Sequence, residues 1–290
     1  MTPGARLRQL LKGPELVVAP GAYDGLTARL VEQAGFAAVY MTGAGTSLAR
    51  GFPDFGLLGM SEMVENAGTI ARTVAIPLIS DADTGYGNEL NVTRTVREFE
   101  ARGAAAIHIE DQQSPKRCGH LDGKEIIPAP EFVSKIRAAV AARRSPEFAI
   151  IARTDARAVA GFDEAVARAN AALAAGADVA FVEAVETREE LAAVPARVNG
   201  PCLLNIVPAG KTPAVTLAEA QSLGYRIAIL PGLLLGAAMS ACDRALRALR
   251  ETGAPPAAAP GTSVADAFRR FGSDEWSALR RRFAAQEEPK

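Results

Sequence analysis

Residues 101–111 read ARGAAAIHIED, residues 174–184 read AAGADVAFVEA and residues 222–232 read SLGYRIAILPG. The three share one syntax: a helix stops at a Gly, a short link follows, and an apolar strand begins. The Gly can take the left-handed conformation that closes a helix, with no Cβ to oppose it. The unit recurs roughly every 25–40 residues without close sequence repetition, as βα units do.

Outward from these stretches, further short apolar or β-branched runs fall into place. They predict strands over Leu16–Pro20, Ala37–Thr42, Pro77–Asp81, Ala105–Glu110, Phe148–Arg153, Asp178–Glu183, Cys202–Ile206 and Arg226–Leu230. Amphipathic segments lie between them, including Leu90–Arg102, Phe162–Ala175 and Leu217–Leu223. Alternating strands and helices imply a parallel sheet. A count of eight predicts an α/β fold of the (β/α)8 TIM barrel type, for which ~250 residues suffice. An open doubly wound sheet is the rival.

The C-terminal part breaks the pattern. Leu233–Arg250 reads as the eighth helix, and TGAPPAAAPGTS (252–263) cannot continue it. One further helix is expected at about Val264 to Phe283, anchored by Phe268, Phe271, Trp276 and Phe283. The expected organisation is a catalytic barrel over 1–250, a linker over 251–263 and a helical extension over 264–290. A closed barrel has no vacancy for another helix, so the extension should pack outside or reach a neighbouring subunit.

Composition narrows the function classes. The 290 residues carry 32 Lys and Arg against 33 Asp and Glu, so no basic field attracts nucleic acid or an anionic membrane. No apolar stretch approaches the ~20 residues of a membrane span. Arg6, Arg8 and Lys12 interrupt any signal-like apolar run. Three cysteines cannot all pair within one chain, and free thiols fit a reducing compartment. A cytoplasmic protein is expected, with no nucleic-acid or membrane partner.

In such a barrel the chemistry sits at the C-terminal ends of the strands. Those ends carry Tyr40, Thr42, Gly43 and Ala44, then Asp81 and Asp83, then His108 and Glu110, then Arg153 and Asp155, then Glu183 and Asn205. Converging carboxylates repel, and a bound cation relieves the conflict. An oxygen-only donor set favours Mg2+ or Mn2+ over Zn2+. His108 and Glu110 alternate with Ile107 and Ile109 and so share a face. A satisfied core histidine is the competing reading of His108.

The stretch QQSPKRCGHLDGKEIIPAPE (112–131) follows strand 4. Cys118 stands there among Lys116, Arg117 and His120, a setting expected to lower the thiol pKa and poise it for proton transfer or nucleophilic attack. The loop is long, polar and Gly-bearing, as a lid would be. An exposed loop with an incidental Cys is the bland alternative.

Two phosphate motifs fail. GAGTSLARG (43–51) has Leu48 where the third Gly of a dinucleotide fingerprint belongs, and AGKTP (209–213) has Asn205 where a P-loop needs its first Gly. The backbone N–H groups of Thr42–Gly45 remain suited to a carboxylate.

Together PGAYDGLTARLVEQAGF (20–36), TGAGTSLARGFPDFG (42–56), DADTGYGN (81–88), IEDQQSPKRCGH (109–120), ARTDAR (152–157) and GADVAFVEA (176–184) resemble the isocitrate lyase/phosphoenolpyruvate mutase superfamily. The likeness runs from about Gly13 to Leu249 and is greatest to the lyase branch, whose substrates are 2-methylisocitrate and 2,3-dimethylmalate. It implies a barrel whose C-terminal helix is exchanged between subunits, in a homotetramer built as a dimer of dimers. It implies Asp81 as the direct Mg2+ ligand, with Asp54, Asp83 and Glu110 holding its waters. Thr42, Gly43, Ala44, Arg153, Glu183 and Asn205 would bind the substrate. Tyr40 would stand near the reacting centre, and Cys118 would protonate the departing carbanion from a lid that also carries Lys116, Arg117 and His120.

The implied reaction is cleavage of a 2-hydroxy di- or tricarboxylate to a 2-oxo acid and a carboxylate through an enolate-like fragment. Oxaloacetate hydrolysis or decarboxylation is the alternative, as is phosphonomutase-type chemistry on a carboxyphosphonoenolpyruvate or phosphonopyruvate. KRCGH (116–120) argues against phosphorus chemistry, because such members lack it. Two departures concern substrate contacts: Pro208 follows Asn205 where lyases carry an acidic residue, and LPGLLLG (230–236) offers no polar group.

Overall fold

A computed structural model describes residues 1–257 and 263–284. Eight parallel strands, each paired with the next and β8 with β1, form a closed barrel. They are β1 (Val17–Ala22), β2 (Val39–Met41), β3 (Leu78–Asp81), β4 (Ala106–Glu110), β5 (Ala149–Thr154), β6 (Val179–Val182), β7 (Cys202–Asn205) and β8 (Ile227–Leu230). All eight expected strands are present and the open-sheet rival falls away. The boundaries agree to within two residues: β1 runs past Pro20 to Ala22, and β2 begins at Val39 rather than Ala37.

Strand alternation sorts the side chains into two cores. Tyr40, Ile79, Ala106, Ile151, Phe181, Leu203 and Ile229 point inward and pack on one another. Their neighbours Val39, Met41, Leu78, Ile107, Ile109 and Ile150 point outward, into the layer beneath the helices. The short helix α1 (Pro3–Lys12) closes the N-terminal end, with Leu7 buried among the inward side chains. Below the barrel, Asp178 accepts from Arg8 Nη2, Arg143 Nη1 and the Ile150 N–H, each at 2.8 Å.

Around the barrel run α2 (Gly25–Gln33), α3 (Gly43–Ala49), α4 (Met60–Thr73), α5 (Glu89–Ala101), α6 (Ala129–Ala142), α7 (Ala156–Ala160), α8 (Phe162–Ala174), α9 (Arg188–Arg197) and α10 (Leu217–Ser222); three helices, α1, α3 and α7, are not expected from the sequence. Each is short, and α3 and α7 follow directly on strand ends. The chain divides into two compact units, Met1–Ala237 and Ala238–Lys290. The helix α11 spans Leu233–Thr252. The single helix expected at 264–283 is instead two, α12 (Val264–Arg270) and α13 (Ser273–Ala284). The break falls at Gly272, whose φ of +85° no helix accommodates. Of the expected linker, 258–262 lie outside the described residues, as do 285–290 of the expected extension. Among the described residues no helix is long and apolar enough to cross a membrane.

Candidate active site

Inward alternation continues to the C-terminal strand ends, where the side chains turn polar. Tyr40 and Thr42, Asp81, His108 and Glu110, Arg153, Glu183 and Asn205 succeed one another around the rim from β2 to β7, all buried. Above them lies a cavity of about 150 Å³. Tyr40, Thr42, Ala44, Asp54, Asp81, Lys116, Cys118, His120, Arg153, Glu183 and Asn205 face it from the polar side. Val207, Pro231, Gly232 and Leu235 form an apolar wall.

Arg153 is the hub. Its guanidinium stands 3.1 Å from Glu110, 2.9 Å from Asp155 and 3.3 Å from Glu183, over the ring of Phe181. Burial works against the charge, but the three carboxylates outweigh it and hold the guanidinium pKa well above its ordinary value. Glu183 gains in return. Arg153, His120 and the Asn205 amide, 3.1 Å away, overcome burial and keep its carboxyl far below the usual range.

Asp81 sits beneath the first turn of α3. Its carboxylate accepts the Gly43 N–H at 3.1 Å and the Asp83 N–H at 2.9 Å. Burial would raise its pKa, but His108, Lys116 and Arg153 prevail and hold it at about 2. Asp83, in the left-handed region at φ +45°, goes the other way. Burial and the nearby Asp81 and Asp54 lift it to about 6 against the pull of Lys116.

Lys116 corrects an expectation. Its ammonium does not face the thiol: it lies 2.5 Å from Asp54 and 2.9 Å from Asp83, buried between them. Arg117 is exposed over the ring of Phe55 and does not line the cavity. Without those cations, burial pushes the Cys118 thiol pKa up, more than the His120 N–H pulls it down. The expected thiolate is therefore a protonated thiol. His120 accepts the Lys211 N–H on Nδ1 at 3.0 Å, so its ring proton belongs on Nε2, 3.4 Å from Glu183.

His108 is fully buried, with Nε2 2.8 Å from the Tyr40 hydroxyl and its ring stacked on that of Tyr40. Burial lowers its pKa to about 4, so the ring is neutral at pH 7. Burial likewise raises the Tyr40 hydroxyl. Sequence reasoning missed Asp111 and Lys124, and left Asp155 without a role. All three are buried: Lys124 within the loop that carries Cys118, Asp111 and Asp155 at the strand ends it folds onto.

The carboxylates suit a hard cation. Glu110 is wholly buried, yet neither oxygen receives a hydrogen bond, although Arg153 is close. A buried carboxylate without donors is costly unless positive charge or bound water completes it. Among the described residues no three Asp, Glu, His or Cys side chains already close on one point.

A closed parallel barrel with a polar ring at its C-terminal strand ends, covered by a thiol-bearing loop, has the build of an α/β-barrel enzyme site. Residues 7–250 match the family model described as phosphoenolpyruvate phosphomutase. The 2,3-dimethylmalate lyase of Eubacterium barkeri is 49% identical over 232 residues, 80% of each chain. The 2-methylisocitrate lyase of Aeropyrum pernix is 46% identical over 251 residues, 87% of this chain and 81% of that one. Among solved structures, oxaloacetate acetylhydrolase in complex with 3,3-difluorooxalacetate superposes with a TM-score of 0.94 at 39% identity, covering 99% of both chains. Phosphonopyruvate hydrolase in complex with oxalate and Mg++ superposes with a TM-score of 0.89 at 36% identity, covering 98% of this chain and 100% of that one. The chain belongs to the phosphoenolpyruvate mutase/isocitrate lyase superfamily.

Proposed function

We propose that this chain is a Mg2+-dependent carbon–carbon lyase that cleaves a 2-hydroxy dicarboxylate to a 2-oxo acid and a carboxylate. The observation that carries the reading is Cys118. It is a thiol kept protonated at the edge of a cavity whose floor holds Arg153 and a set of carboxylates.

Asp81 would hold the ion directly, with Asp54, Asp83 and Glu110 behind it; Mn2+ suits the same oxygen donors. When bound, the ion polarises the substrate hydroxyl and adjoining carboxylate and eases loss of the hydroxyl proton. Arg153 takes a substrate carboxylate, supported by Glu183 and Asn205, while the turn Thr42–Gly43–Ala44 borders the other end. Tyr40 lies against the reacting centre. As the bond between C2 and C3 breaks, the electron pair passes to the departing fragment. Cys118 then gives its S–H proton to that carbon, a role a raised pKa suits. His120 holds the loop against Glu183, and Lys116 balances the charge of Asp54 and Asp83 rather than touching the thiol.

The apolar wall of Val207, Pro231, Gly232 and Leu235 favours a methyl-substituted diacid such as 2,3-dimethylmalate over the tricarboxylate 2-methylisocitrate. It presents no cation to a third carboxylate. The match to oxaloacetate acetylhydrolase favours oxaloacetate hydrolysis as the second reading. The assembly belongs to the same proposal. Residues 1–250 form the catalytic barrel, 251–263 a linker and 264–290 an extension exchanged between subunits of a cytoplasmic homotetramer. Exposed Phe268, Trp276 and Phe283 on the C-terminal helices support that exchange.

The test is incubation with Mg2+ and 2,3-dimethylmalate, 2-methylisocitrate, oxaloacetate or phosphonopyruvate, with products identified by mass spectrometry and an EDTA control. EDTA-sensitive pyruvate with propionate is the expected result, abolished in Cys118→Ser. Oxalate with acetate would move the assignment to the hydrolase, and release of phosphate would move it to phosphorus chemistry.

A further inference from the structure

The loop that carries Cys118 also carries a buried cation with no part in the reading above. Lys124 is 1% exposed at its side chain. Its ammonium donates to the Gly119 carbonyl and stands 3.2 Å from Asp155 Oδ1. Asp155 is wholly buried and is itself held from two sides. It accepts Arg153 Nε at 2.9 Å and Arg153 Nη2 at 3.2 Å, and its N–H donates to Asp111 at 2.8 Å. Asp111 is fixed in turn by Thr154 Oγ1 at 2.7 Å and Arg168 Nη1 at 3.2 Å. The anchor under Lys124 therefore belongs to the barrel wall, whereas Gly119 belongs to the loop. Gly119 lies so close above Arg153 that a Cβ there would collide with Arg153 Nη2 and Glu183 Cγ.

We propose that Lys124 is a positioning residue that latches the Cys118–His120 segment onto Asp155. By sharing Asp155 with Arg153, it also loosens the hold of that carboxylate on the guanidinium. The physical reason is desolvation. A lysine gives up its hydration only where carbonyl and carboxylate oxygens replace it, and here one oxygen comes from the loop and one from the wall. Lifting the loop strands the ammonium and returns Asp155 to Arg153 alone. The position of the thiol and the freedom of Arg153 are thus set by one contact. The second half rests on Arg153 as the substrate-carboxylate residue; the latch itself does not.

The test follows alkylation of Cys118 by iodoacetamide in the full chain, read by peptide mass spectrometry with the buried Cys202 as internal control. Lys124→Met should speed Cys118 modification at least ten-fold and leave Cys202 slow, and Lys124→Arg should return most of the protection. Turnover should show kcat falling with a rise in KM for the diacid. Asp155→Asn removes the anchor from the other side and should give the same selective exposure, which keeps the test open if the methionine variant fails to fold. An unchanged Cys118 rate would overturn the latch, as would Cys118 and Cys202 accelerating together. The labelling result stands whether or not any substrate of the panel reacts.

Discussion

Gly43 gives its backbone N–H to Asp81 Oδ2 at 3.1 Å, across the adjacent ends of β2 and β3. The first turn of α3 thus spends a donor on a protein carboxylate, where the sequence had suggested a substrate carboxylate. A Cβ on Gly43 would collide with that same carboxyl group. Gly43→Ala should displace Asp81 and weaken Mn2+ binding, followed by electron paramagnetic resonance, at least ten-fold. Overpacking of this kind costs about 1–3 kcal/mol of stability. Unaltered Mn2+ affinity would remove Asp81 from the proposed metal site.

The raised pKa of Cys118 has a sign that can be read directly. Thiolate, not thiol, reacts with iodoacetamide, so a raised pKa keeps the residue slow near pH 7 and lets its rate climb only above the ordinary thiol range. The expected pH profile of Cys118 modification inflects above the ordinary thiol pKa. An inflection below pH 7 would restore the thiolate and refute the proton-donor assignment.

At the opposite end of the barrel, Asp178 joins Arg8, Arg143 and the Ile150 N–H and touches nothing in the cavity. Asp178→Ala strips a carboxylate from two arginines. With charge-assisted hydrogen bonds contributing roughly 1.5–3 kcal/mol each at most, a loss of about 2–4 kcal/mol in urea unfolding is expected. The kcat of the folded fraction should stay within two-fold. A large fall in kcat at unchanged stability would show that the lower end of the barrel is coupled to the site.

Truncation after Gly253 removes α12 and α13 with their exposed aromatic side chains. If these helices cross between subunits, the shortened chain should sediment as a smaller species than the full chain. Equal sedimentation would refute the exchange.

The barrel was legible because its strands are short apolar runs, most of which stop at a polar residue, and the helices before β2, β4, β6 and β8 stop at a Gly. The ring residues followed, since a strand's last inward side chain is fixed by period-two alternation: Ile107 and Ile109 out, His108 and Glu110 in. The loop was harder. Lys116 and Arg117 flank Cys118 in sequence, but nothing periodic says where loop side chains point. One goes to aspartates on other segments and the other to solvent. Lys124 gave no signal, because its partners Gly119 and Asp155 meet it only when the loop folds onto the wall. The break between α12 and α13 could have been read from Gly272, a poor helix former between two helical stretches.

Arg153 takes its carboxylate partners from β4, from the end of β5 and from just past β6, so its guanidinium samples the relative height of three adjacent staves of the barrel. A slip of one stave by a fraction of an ångström would reach that side chain before it unfolded anything. Affinity for a small diacid then becomes a strain gauge for the whole wall. It would report damage done far from the cavity while the protein still melts as one body.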